Sequence, residues 1–293
     1  MEIDISVVVP FYNAERYIST CIKALLSQSY PTDRYEIIMI DNNSTDRSVE
    51  IVKRFPFIKL QFGLKQGAYA ARNHGINQSK GDIIAFTDPD CIPSPTWLQK
   101  ISEAMESPEI KAVIGCREPA YDSPLLSKLG AYEKVKDEYV FNSEISELYY
   151  GYNNNMAVRR EIFDELGLFI ERSRGSDTIF IRKVVEMYSC HSVVYCPDIR
   201  VKHMEIDNVL KYYRKMFIYG RSRQKYRNIA YTRSLNNCER IKVFLRTIHS
   251  QDYKSTKCII LFSLLAIGSF CWNLGNLSSI FSSKREISHH HTP

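Results

Sequence analysis

The decapeptide Gly81-Asp82-Ile83-Ile84-Ala85-Phe86-Thr87-Asp88-Pro89-Asp90 sets two carboxylates, one residue apart, directly after a short apolar run. Such a run reads as a buried strand, so Asp88 and Asp90 stand at the C-terminal end of a strand. In open α/β sheets, ligands bind outside the carboxyl ends of the strands. Two close carboxylates repel, and keeping both ionised requires a cation or a basic group between them. A hard divalent ion meets that need; Mg²⁺ is typically held by one or two carboxylates together with substrate phosphates. The chemistry indicated is metal-assisted, on a phosphate-bearing substrate. The plain alternative is a polar turn, because Asp and Pro are ordinary turn formers.

Other strand ends carry polar clusters as well. Pro10-Phe11-Tyr12-Asn13-Ala14-Glu15 follows a first apolar run, and Asp41-Asn42-Asn43-Ser44-Thr45-Asp46 follows a second. Gly67 precedes a helix that holds Arg72 and Asn73. If strands one, two and four are neighbours, these groups share one rim with Asp88 and Asp90. Asp41 can accept from a base N–H, Tyr12 can stack on a base, and Arg72 suits a phosphate or can orient a carboxylate. Each has a simpler role too: Ser44 and Asp46 can start a helix, and Arg72 can be a solvated helix residue.

The elements that must position these groups alternate. Strands are expected over Ile5 to Val9 (stopped by Pro10), Glu36 to Ile40, Ile58 to Phe62, Ile83 to Thr87 and Lys111 to Ile114. Helices are expected from about Glu15 to Gln28, Ser44 to Arg54, Ala68 to Gln78 and Pro95 to Glu106. Strands alternating with helices of this length argue for βαβ units and a mostly parallel sheet flanked by helices, an α/β fold. After Gly115 the pattern loosens: Pro119, Tyr121 and Pro124 read as an irregular crossing, Tyr152 to Val158 as a further strand and Ser176 to Tyr188 as a helix. Asn208 to Arg227 reads as a basic, aromatic-rich helix.

At 293 residues the chain has room for one large α/β domain and an appendage. Its net charge of +6 is uneven: from Arg200 to Arg246 there are 13 Lys and Arg against Glu205, Asp207 and Glu239, a local +10. That asymmetry points to an anionic partner such as a lipid phosphate or a membrane surface. A carboxylate-rich rim argues against nucleic acid. The eight cysteines form no Cys-x-x-Cys pair, which disfavours structural zinc and a disulfide scaffold; they read as thiols of a reducing compartment. Met1-Glu2-Ile3-Asp4 has no basic n-region, so no signal peptide is expected here. From Cys258 to Ser283 there are 26 residues without a charge. The length favours a membrane-embedded segment over a buried core helix, leaving open whether it spans or lies in the interface.

Ser6-Val7-Val8-Val9-Pro10-Phe11-Tyr12-Asn13-Ala14-Glu15, Asp41 to Asp46, Gly67 to Gly75 with Ala71-Arg72-Asn73, and Phe86-Thr87-Asp88-Pro89-Asp90 together resemble family 2 glycosyltransferases of the GT-A fold, over about residues 4 to 203. The resemblance implies a UDP- or GDP-sugar donor, a divalent metal (Mg²⁺ or Mn²⁺) and inversion at the anomeric carbon. It implies nucleotide-sugar contacts at Pro10, Tyr12, Asn13, Glu15, Asp41, Asn43, Gly67, Arg72, Asn73 and Asp88, and metal ligands at Asp88 and Asp90. Some relatives carry a further metal-ligating His at the position of His203. Asn155 to Phe163, Gly167 and Gly175-Ser176-Asp177 resemble the acceptor region; where the family usually has two acids the chain has Ser176-Asp177, and Asp177 matches the general base. A helix N-cap is the simpler role for Asp177. The Gln-x-x-Arg-Trp motif of processive relatives is absent, which favours single-sugar transfer.

The resulting expectation is a GT-A catalytic domain over 1–205, with 1–115 holding the donor and 116–205 the acceptor. A basic helical segment follows over 206–250, then a hydrophobic, membrane-associated extension over 258–281. The acceptor expected is a lipid-linked saccharide or another polysaccharide-pathway sugar, at the cytoplasmic face of the cell membrane. Two other readings compete: a catalytically silent GT-A scaffold, and a haloacid-dehalogenase-type phosphatase, whose Asp-x-Asp normally sits on the first strand. A Rossmann dehydrogenase is excluded, since the chain has no Gly-x-Gly.

Overall fold

The computed structural model describes residues 3–172, 174–223 and 232–288, with side chains described to 279. The alternation expected from the apolar runs is present. It runs β1 (Ile5–Phe11), α1 (Ile18–Leu26), β2 (Tyr35–Asp41), α2 (Ser48–Val52), β3 (Ile58–Phe62), α3 (Ala68–Gln78), β4 (Ile83–Thr87), β5 (Cys91–Pro93) and α4 (Trp97–Ala104). There follow β6 (Ala112–Pro119), α5 (Pro124–Phe141), β7 (Asn155–Arg159), α6 (Arg160–Leu166), α7 (Ser176–Met187) and β8 (Val193–His203). The chain closes with α8 (Val209–Arg223), α9 (Asn237–Ser250) and α10 (Ser255–Ser288).

The eight strands form one sheet in the order β3-β2-β1-β4-β7-β6-β8-β5. β1, β2, β3 and β4 are mutually parallel, as is the β6–β8 pair, whereas β7 runs antiparallel to both neighbours and β5 antiparallel to β8. Strands β1, β2 and β4 are wholly buried, as their unbroken apolar runs require. Their C-terminal ends therefore share one rim.

Pro10 does not stop β1. The strand continues to Phe11, with Pro10 in register with Ile40. The Phe11 carbonyl accepts from Asn42 N–H on the β2 side, so residue 10 faces β4, whose pairing with β1 ends at Val8. A missing N–H there removes no ladder bond.

Three regions go beyond the expected alternation. The segment after Pro119 is not irregular, because α5 fills it with 18 residues. Pro124 is its first residue, a position where the absent N–H has no intrahelical partner to lose, and Leu126 N–H donates to Ser123 Oγ at 3.4 Å. β8 is a single 11-residue strand interrupted by a bulge, where Gly115 pairs Cys196 and Cys116 pairs Arg200. Pro197 sits in that bulge, which is where a strand tolerates it. Finally, α9 is opened by a capping box in which the Asn236 side chain accepts from Glu239 N–H and Glu239 accepts from Asn236 N–H. The expected basic helix is α8; its residues 224–227 lie outside the described residues.

The chain divides into two compact units. One comprises 1–120 and 140–205; the other comprises 121–139 and 206–293, so most of α5 belongs with the C-terminal helices and not with the acceptor half. In the second unit, Leu126, Leu129, Tyr212 and Leu264 pack together, as do Tyr132, Val243 and Leu261.

Candidate active site

The loops after β1 and β2 are laced together by their own short side chains. Asn13, with φ +48, donates its N–H to Ser44 Oγ (3.0 Å), and its Oδ1 accepts from Thr45 N–H (2.8 Å). Glu15 N–H donates to Asp46 Oδ2 at 3.0 Å, and the Glu15 carboxylate accepts from Arg47 Nε at 3.1 Å. Asp41 is buried and accepts from Ser44 N–H at 3.1 and 3.3 Å. Asn43 turns the chain with φ +66. Asn42 Oδ1 accepts from Gly67 N–H at 3.0 Å and so ties in the loop that leads to α3. Tyr12 stands 49% exposed, its ring open to stacking. Asn13 and Glu15 shape the loop with their side chains, while Asp41 and Tyr12 line the rim.

Helix α3 supplies the next layer from one face. Arg72, its side chain 8% exposed, donates Nη2 to Asp88 Oδ1 at 2.5 Å. Its guanidinium lies 5.5 Å from the centroid of the Tyr69 ring, one turn earlier on α3. The Tyr69 hydroxyl accepts from Asp177 N–H at 3.4 Å and also hydrogen-bonds the Asp177 carboxylate. Two neighbours on one helix therefore join a strand-end carboxylate to the head of α7. Asn73 works differently from a rim contact. Its amide donates to the Phe169 carbonyl (2.8 Å) and accepts from Phe169 N–H (3.1 Å), fixing the segment that leads into α7.

Asp177 is the second residue of α7. Gly175, with φ +86, holds the N-cap position in the left-handed region that favours glycine, so Asp177 is not the cap. Its carboxylate accepts from Thr178 N–H at 2.8 Å. Burial pushes its pKa above the ordinary value, opposed by the Thr178 N–H, the Tyr69 hydroxyl, the Arg72 charge and the Asn153 N–H. Such a carboxyl is a better proton acceptor than a solvated one. Gly151 backs the same turn, for a Cβ there would lie 2.8 Å from the Asp177 carbonyl oxygen.

The antiparallel pairing of β5 with β8 sets Cys91 opposite His203. His203 Nε2 thereby lies 3.2 Å from Asp90 Oδ2, with both side chains mostly covered, and 3.9 Å from Glu205 Oε2. The ligand atoms of Asp90, Cys91 and His203 lie within 4.8 Å of one another. The Cys91 thiol donates to Asp90 Oδ1 at 3.8 Å. Burial, with the Asp90 and Asp88 charges, drives its pKa well above the ordinary value, which favours a protonated thiol beside the Asp90–His203 pair. The remaining carboxylate–imidazole pair fits Mn²⁺, a metal that accepts mixed oxygen and nitrogen donors, better than Mg²⁺. Asp88 lies outside this cluster and pairs with Arg72. Tyr69, Cys91, Gly151 and Glu205 had no sequence signal of their own; the spacing of Tyr69 three residues before Arg72 on one helix face was the available clue.

The profile described as Glycosyl transferase family 2 matches residues 6–167. Glycosyltransferase AglE of Haloferax volcanii is 31% identical over 209 residues, 67% of each chain. Three further curated relatives match over 29%, 40% and 38% of their own length. Among solved structures, mannosyltransferase PcManGT from Pyrobaculum calidifontis, in complex with GDP-Man and Mn²⁺, superposes with a TM-score of 0.68 at 17% identity over 96% of this chain and 88% of that one. Staphylococcus aureus TarS 1-349 in complex with UDP-GlcNAc superposes with a TM-score of 0.55 at 17% identity, over 92% and 81%. The mixed, mostly parallel sheet is thus the GT-A fold, and with more than half its length inside the family profile the chain belongs to glycosyl transferase family 2 and is a glycosyltransferase.

Proposed function

We propose that the enzyme transfers a single sugar from a UDP- or GDP-sugar to a lipid-linked saccharide or another polysaccharide-pathway acceptor, inverting the anomeric carbon. One observation carries this reading: Tyr69 and Arg72, one turn apart on α3, hold Asp177 and Asp88 while Asp90 and His203 meet at the same strand end. The nucleotide choice follows the GDP-Man and UDP-GlcNAc of the superposed structures.

Asp41 accepts from the base and Tyr12 stacks on it. Arg72 fixes Asp88 toward the ribose. Asp90 and His203 would hold a divalent cation, which would supply positive charge against the nucleoside diphosphate leaving group. Asp177 takes the acceptor hydroxyl's proton as that oxygen attacks the far face of the sugar; its burial raises its basicity. The transition state is oxocarbenium-like, as in glycoside hydrolysis. The basic stretch Arg200 to Arg246 favours an anionic acceptor and the cytoplasmic face of a membrane, with α10 as the anchoring element.

The test is a screen of UDP- and GDP-sugars with added Mn²⁺, read as nucleoside diphosphate release. One donor should turn over, and Asp177→Asn should bind it without transferring. Failure of every donor with Mn²⁺, or donor binding lost in Asp177→Asn, overturns the assignment.

A further inference from the structure

Helix α10 is apolar on every side, yet only one side is covered. Leu261, Leu264 and Gly268 face inward onto α5, α8 and α9. Ile259, Phe262, Ile267, Phe270, Leu274 and Leu277 are 43% to 66% exposed. At 100° per residue those six fall within an arc of about 140°, opposite the covered side. An apolar stripe of this size on a folded surface marks an interaction site.

Helix α8 lies flush against the covered side. The Tyr213 hydroxyl donates to the Leu264 carbonyl at 3.3 Å. The two backbones approach so closely at Gly220 and Gly275 that a Cβ on either would sit 2.0 Å from a carbonyl oxygen, of Trp272 and Phe217 respectively. α8 carries Lys211, Arg214, Lys215, Arg221 and Arg223, and its contacts pass from Tyr213 beside Leu264 to Gly220 beside Trp272, which sets Arg214 and Lys215 level with the middle of the apolar run Ser255–Ser279. A spanning α10 would drag those cations into hydrocarbon, where Lys and Arg are strongly disfavoured.

Helix α9 extends the same face. Its Phe244 meets Phe262 edge-on, with ring centroids 6.2 Å apart, and Ile241 and Leu245 beside it are 58% and 57% exposed. Lys242 and Arg246 on α9, and Lys254 and Lys257 around the start of α10, are exposed cations on the same two helices.

We infer that α9 and α10 form a one-sided face that seats in the plane of an anionic leaflet, with α10 lying in the interface and not crossing it. The inference rests on the membrane reading above and fixes its geometry. Apolar side chains enter the acyl boundary while the exposed cations meet anionic headgroups, the pattern of interfacial helices. A second copy of the chain is a poorer occupant, because a two-fold contact would set the same cations against each other.

The full chain, with a C-terminal epitope, is mixed with sealed vesicles of phosphatidylcholine alone or with added phosphatidylserine, floated, and treated with external protease. Flotation should require phosphatidylserine, and the epitope should be cleaved as readily as in solution. Phe262→Glu with Phe270→Glu should abolish flotation while leaving the unfolding temperature and nucleotide-sugar turnover unchanged. An epitope protected on floating vesicles overturns the in-plane geometry alone. Absence of flotation, with a dimer in solution that the double variant dissociates, overturns the membrane occupant altogether. Turnover is read separately, so neither outcome is confused with failure of the glycosyltransfer assignment.

Discussion

At Asp177 two demands compete: a general base must be ionised, and a buried carboxylate resists ionisation. Its folded-state pKa lies above the ordinary 3.8, so the folded chain holds this proton more tightly than the unfolded chain. The contribution to stability is then fully present below 3.8 and is lost as pH rises through the folded value. Asp177→Asn should therefore melt higher than wild type at neutral pH, with the difference vanishing below the unfolded value, followed by thermal unfolding across pH. The same variant should lose transfer by ~10²–10⁴-fold. In wild type, the acid limb of the rate profile should lie above the ordinary aspartate range. At Asp90 and His203, replacement by Asn should weaken Mn²⁺ binding by more than ~10-fold, since outer-shell losses alone typically cost that much. Titration followed by electron paramagnetic resonance reads this directly. Chelation should abolish sugar transfer and Mn²⁺ restore it; full activity in chelator would remove the metal from the reaction.

At the scale of elements, the site depends on how α7 is seated. Gly151 packs against its first turn, where a Cβ would press on the Asp177 backbone carbonyl and on Ile181 Cγ1, both at 2.8 Å. Gly151→Ala should shift the head of α7. A displacement near 1 Å can cost ~10²-fold in rate, while a single overpacked methyl typically costs about 1–3 kcal/mol. The expected result is a kcat loss well beyond the change in unfolding temperature, with donor affinity retained because α7 serves the acceptor. Equal affinity and kcat with a lower melting point would mean that Gly151 is purely structural.

For the molecule as a whole, α10 is part of a core as well as a membrane element. Leu264 packs on Leu126, Leu129 and Tyr212, and Leu261 on Tyr132 and Val243. Truncation after Thr256 uncovers those side chains, so the shortened protein should aggregate and not simply become soluble. Leu264→Ala should cost about 2–5 kcal/mol in denaturant unfolding. By contrast, Phe270→Ala, on the exposed side, should leave stability within about 0.5 kcal/mol.

The amino-acid sequence by itself determined the elements whose signal is local. The runs at Ile5, Glu36 and Ile83 are strands because a buried parallel strand is nearly apolar throughout, and the polar groups that follow each run mark the rim. It also carried Asp88, Asp90, Asp177 and His203 as candidates. It misjudged Pro10 and Pro124, because a proline's effect depends on which neighbour would have received its N–H, and that is settled by sheet order and helix start. Tertiary structure alone decided which partner each carboxylate meets. Arg72 reaches Asp88 because α3 packs on β1 and β2 and β4 is the neighbour of β1, and His203 reaches Asp90 because β5 pairs antiparallel with β8. Likewise, 26 uncharged residues fix that α10 is apolar, but its covered and open sides follow from α8, α5 and α9. Periodicity encodes geometry over a few residues; register, pairing and burial depend on residues far apart in the chain, and no local pattern contains them.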